Sequence, residues 1–100
     1  MDNTALVKEL KRYLHITWDD EDSDLSGHIE SGKEYLNDLA GTSIDFEKDR
    51  KSRQLLMDYG RYVYNHSLEF FEVNFKRELL KLSIREGVKA HAAKTAETNS

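Results

Sequence analysis

The stretch DYGRYVYNHSLEFF, from Asp58 to Phe71, sets six aromatic rings into fourteen residues: Tyr59, Tyr62, Tyr64, Phe70, Phe71 and the imidazole of His66. A chain of 100 residues has one small core. Either that core is built around this segment, or some of the rings await another molecule. Proline is absent and β-branched residues are sparse, so helices are the default reading. On one helix turning ~100° per residue, Leu55, Leu56, Tyr62, Val63, His66 and Phe70 lie within about 60° of Tyr59 and form one broad core face. Met57, Tyr64, Leu68, Phe71 and Phe75 fall roughly 120–180° away and form a second apolar stripe. A helix from about Asp49 to Glu72 is therefore expected to be apolar on two sides.

Two helices are expected before it. Leu6, Val7, Leu10, Tyr13 and Leu14 make an apolar stripe over Thr4 to His15, with Asn3 or Thr4 as the cap. HITWDDEDSD supplies a break, and its acids suit the start of a second helix from about Asp20 to Leu39. There Leu25, Ile29, Gly32, Leu36 and Leu39 alternate steps of four and three, the seam of a shallow helix crossing. Gly32 on that seam costs roughly 1 kcal/mol of helix propensity, so a close backbone approach is expected there. Gly41 reads as the stop, and Ile44 and Phe46 of the following loop tuck beneath the helices. After Asn74, Leu79, Leu80, Leu82 and Ile84 suit a fourth, shorter helix, although the alternation Leu80, Leu82, Ile84 equally suits an extended segment.

The expected fold is therefore all-α: a small single-domain bundle of three main helices plus a shorter C-terminal helix or segment. The domain spans residues 1–91, and residues 92–100 form a mobile tail with nothing to bury. Its core comprises Leu10, Leu14, Leu25, Ile29, Leu36, Leu55, Tyr59, Val63 and Phe70. A buried central helix flanked on both sides explains both stripes without a partner. Trp18, Tyr35 and Phe46 also need cover in so small a chain, however, so some aromatic area is expected to meet another chain.

Charge and composition narrow the chemistry. The net charge is -4, which argues against a coat for nucleic acid, yet its distribution is lopsided. Eleven acids face two bases between Thr17 and Asp49, whereas six bases face two acids from Lys76 to Lys94. With no cysteine there is no disulfide framework, thiolate zinc site or cysteine nucleophile. No apolar run approaches the roughly 18–20 residues of a membrane helix, and MDNTALVKELKRYL lacks a signal peptide's apolar core, so an intracellular, soluble protein is expected.

Candidate sites fare poorly. Asp20, Asp22 and Asp24 imitate a calcium loop, but its sixth position is Leu25 instead of glycine and its twelfth is Ser31 instead of glutamate. The four histidines show no paired metal-ligand spacing, and Ser67 beside His66 cannot face it on a helix. No catalytic, metal or cofactor residues are therefore assigned. The cluster Lys48, Arg50, Lys51 and Arg53 allows an alternative reading as a small helix-turn-helix DNA-binding regulator, but no exposed side carries a row of base-reading residues.

The order LKRYLHITWDDEDSDL, EYLNDLAG, IDFEKD and LLMDYGRYVYNHSLEFFEVNFKRELLKL resembles the small head-tail connector proteins of long-tailed bacteriophages and prophages, also called adaptor or head-completion proteins. The likeness covers roughly Leu6 to Val88, and its most specific part is DYGRYVYN to FFEVNF with the trailing ELLKL. It implies an all-helical structural virion protein, not an enzyme and without cofactors, that is made in the host cytoplasm. Such subunits assemble beneath the portal as a ring, commonly of twelve copies, that extends the DNA channel. DNA passes through without sequence recognition, the next head-completion or tail protein docks below, and no membrane is involved. Combined with the second stripe and the basic C-terminal end, this implies a subunit or portal interface built from Tyr64, Leu68, Phe71, Phe75, Lys81, Arg85 and Lys89.

Overall fold

The computed structural model describes residues 3–99, with the side chains of residues 3–88, and is all-helical. The elements are α1 (Thr4–Leu14), α2 (Asp22–Ala40), α3 (Arg50–Tyr64), a 3-10 turn (Leu68–Phe70), α4 (Phe71–Asn74) and α5 (Lys76–Asn99). Among the described residues no helix is long and apolar enough to cross a membrane. Lys89, whose side chain was expected at an interface, and the tail expected at 92–100 have side chains outside the described residues.

The first two helices end where their sequences direct. α1 closes through His15, which takes a left-handed conformation (φ 61°) while Ile16 N–H donates to the Lys11 carbonyl at 2.8 Å. Asn3 stands at the cap position without capping; its side chain instead donates to Glu30 at 2.6 Å and accepts from Lys33 at 2.7 Å, tying α1 to α2. α2 stops at Gly41, whose φ of 73° is the conformation glycine adopts at least cost. Gly32 lies against α3, where an added Cβ would stand 2.6 Å from Leu56 Cδ1 and 2.9 Å from Tyr59 Cδ1. The close approach expected from its place on the seam is thus present.

The third helix departs from expectation. It starts at Asp49, which accepts from Ser52 N–H at 3.2 Å, but it ends at Tyr64 instead of running to Glu72. His66 adopts a left-handed conformation (φ 57°), with His66 N–H donating to the Val63 carbonyl at 3.0 Å and Ser67 N–H to the Tyr62 carbonyl at 2.8 Å. This paired pattern is a Schellman motif, which closes a helix by satisfying its last carbonyls. His66, expected at the core edge, is therefore exposed on a turn. The C-terminal helix also differs: α5 has 24 residues and is the longest in the chain, where a shorter one was expected.

α2 contacts α1, α3 and α5, and α1 packs on α3. Leu10, Leu25, Ile29, Leu36 and Leu56 are completely buried at their junction, with Phe46 of the loop closing one side. Leu55 and Tyr59 join this core as expected, while Leu14 and Val63 are partly buried against it. Phe70, expected in the core, is 55% exposed. The turn at residues 65–67 is the cause, because residues beyond it no longer share the helical phase of Tyr59.

Candidate assembly surface

The same turn reverses the expected role of Phe71. Expected at an interface, it is 1% exposed and sits at the middle of a ring cluster, with centroids 5.0 Å from Phe75, 5.6 Å from Tyr59, 5.7 Å from Tyr62 and 6.1 Å from Tyr35. Three of the six rings of the crowded segment, Tyr59, Tyr62 and Phe71, thus pack together with Phe75, and the ring of Tyr35 is drawn in from α2. Tyr35 donates to Glu72 at 2.9 Å, and burial first, then this bond, raises its phenol from an ordinary 10.0 to about 12. Burial likewise raises the phenol of Tyr59.

These shifts carry a pH dependence with a defined sign. A phenol with a raised folded-state pKa holds its proton more tightly when folded, so its stabilisation is full below pH 10 and is lost as pH rises through about 12. Stability of the wild-type chain is expected to fall between these values, and Tyr35→Phe to make that fall shallower. Urea midpoints measured from pH 8 to 12 test this; identical slopes for the two proteins would show that the Tyr35 phenol is not shielded.

Other residues expected at the interface are scattered by the fold. Tyr64 is half-buried and donates to Glu21 at 3.0 Å, a bond that raises its phenol, while Trp18 donates to the same carboxylate oxygen at 2.6 Å. Phe75 is half-buried in the ring cluster and Leu68 is exposed on the turn. Arg85 is engaged within the subunit, donating to Asp49 at 2.7 Å and to Ser52 Oγ at 3.0 Å, so it latches α5 to the start of α3. Lys81 is exposed on the rim of a groove of about 540 Å³ between α3 and α5, floored by Leu55, Phe75 and Leu82.

A further exposed apolar stripe, among the described residues, lies on the far side of α5. Phe75, Leu79, Leu82 and Glu86 form the side of the α5 segment that faces the body, spaced in steps of four, three and four. Leu80, Ile84 and Val88, one turn apart on the opposite side, are 58, 57 and 62% exposed. Sequence reasoning passed over this stripe. Its signal was present in the i, i+4, i+8 spacing of Leu80, Ile84 and Val88, masked by the competing alternation of Leu80, Leu82 and Ile84.

The acidic segment is partly neutralised in place. Lys11 bridges Asp19 at 2.6 Å and Asp22 at 2.9 Å, which raises the lysine and lowers the Asp19 carboxyl. Among the described residues no group of three His, Cys, Asp or Glu side chains is placed to hold a metal ion. On α3, residues 55–60 are all buried, while Arg50, Lys51 and Gln54 at its start are exposed. The chain matches no family model, no curated protein and no solved structure.

Proposed function

We propose that this protein is a structural subunit of a phage or prophage head-tail connector, assembling as a ring beneath the portal and carrying the DNA channel towards the next head-completion or tail protein. The observation that carries the reading is the stripe Leu80, Ile84 and Val88, an apolar surface on a regular helix that its own subunit leaves uncovered. Contiguous exposed apolar surface on a small domain marks an association site. The lopsided charge supports the same reading, because a closed ring needs two different, complementary patches on each subunit, and the acidic α2 region and the basic α5 region supply opposite signs. The family resemblance of the sequence points the same way.

The test is to mix the chain with its cognate portal and average negative-stain images at low and high salt. A ring of added density beneath the portal is expected at about 0.1 M salt and loss of most of it at about 1 M, where the screening length shrinks from ~10 to ~3 Å. Equal occupancy at both would remove the electrostatic contribution. Absence of the ring at every ionic strength would overturn the connector reading.

A further inference from the structure

Which face of a neighbour meets Ile84 and Val88 follows from the spacing of the exposed residues around them. On the exposed side of α5 stand Arg77, Lys81, Ile84 and Val88, at successive steps of four, three and four. On the exposed side of α2, opposite its buried seam, stand Gly27, Ser31, Glu34 and Asp38, at the same steps of four, three and four. Among the described residues, none of Arg77, Lys81, Glu34 and Asp38 forms an ion pair. A Cβ added at Gly27 would meet nothing within 4 Å, so the backbone there is open to close approach. Two matched seams of this spacing are the condition for shallow side-by-side helix packing.

We infer that the α5 seam of one copy docks antiparallel on the α2 seam of the next, pairing Arg77 with Asp38, Lys81 with Glu34, Ile84 with Ser31 and Val88 with Gly27. The direction is fixed by chemistry. Antiparallel, both cations meet carboxylates and both apolar side chains meet small residues. In the parallel alignment of the same seams Ile84 faces Glu34 and Val88 faces Asp38, which strands two carboxylates against hydrocarbon. Antiparallel packing also sets opposite ends of the two helix dipoles together. Because the two seams differ, the contact is head-to-tail and propagates from copy to copy, as a ring requires and a two-fold dimer does not.

The inference rests on the connector reading, and one experiment separates the two. The chain has no cysteine, so Ile84→Cys and Ser31→Cys each introduce a single thiol, at exposed positions that leave the core untouched. The small residues of the α2 seam allow the helices close enough for a disulfide to form. Mixed on the cognate portal and oxidised, the two variants are expected to give a dimer that contains one of each, while either alone stays monomeric on a non-reducing gel. A chain carrying both cysteines is expected to give a ladder of multimers. Lys81→Glu in the Ile84→Cys chain should lower the yield by about tenfold, and Glu34→Lys in the Ser31→Cys chain should restore it. Cross-linking of Ile84→Cys chiefly to itself would overturn the inference by placing α5 against α5. Portal particles that carry a ring without the mixed cross-link would also overturn it and leave the connector reading standing; particles without a ring would remove both.

Discussion

Phe71→Ala is expected to cost about 3–5 kcal/mol, the range for deleting a fully buried aromatic ring and leaving its cavity. The side chain is 1% exposed and is the one ring that touches Tyr35, Tyr59, Tyr62 and Phe75 together. Its removal leaves those four facing a void that the seat of α4 cannot close, because the Schellman turn at His66 and the start of α5 fix that segment at both ends. A domain of this size has a total stability of roughly 5–15 kcal/mol, and each 1 kcal/mol moves its melting point by roughly 4–8 °C. The variant should therefore melt at least ~12 °C lower, read by circular dichroism. The neighbouring Phe70→Ala is the control: at 55% exposure it should change stability by about 0.5 kcal/mol or less. Equal losses for the two variants would contradict the placement of Phe71 as the hub.

The double variant Leu80→Asp, Ile84→Asp is expected to do the opposite, leaving the fold intact and abolishing assembly. Both side chains project away from the body of the subunit, and the inward side of α5 is held independently by Leu79, Leu82 and the Arg85 latch to Asp49. Thermal stability should stay within about 1 kcal/mol of wild type, as for substitutions at exposed positions. On the portal, two carboxylates would replace hydrocarbon on the stripe where a neighbour must seat, and the one at position 84 would lie one helical step from Glu34 of its α2. Ring occupancy in averaged images should fall below detection. A variant that is folded and still forms rings would show that the α5 stripe is not an assembly surface. A variant that unfolds would show that this side of α5 is buried.

The sequence was most readable where a local rule had no competitor. The extents of α1 and α2, the stop at Gly41 and the tight contact at Gly32 follow from periodicity, a glycine signal and seam position, each of which acts within a few residues. The break after Tyr64 was hidden because its left-handed position is held by His66 instead of glycine, inside a segment whose apolar spacing continues unbroken. Once that turn is missed, every angle counted through it is wrong, which exchanged the expected roles of Phe70 and Phe71. Arg85 was misjudged for a different reason. Its partners Asp49 and Ser52 lie 36 and 33 residues away, a distance over which no spacing rule speaks, so a cation expected to face a neighbour is tied down at home.

The two-sided character of α5 has a consequence for how such a chain tolerates change. Folding draws on Leu79 and Leu82, and the proposed assembly would draw on Leu80, Ile84 and Val88, residues interleaved in sequence yet back to back in space. Substitutions one position apart can thus damage either the individual or the collective while sparing the other. In a connector subunit built this way, selection for a sound subunit and selection for a sound assembly would act on separate letters of one short word.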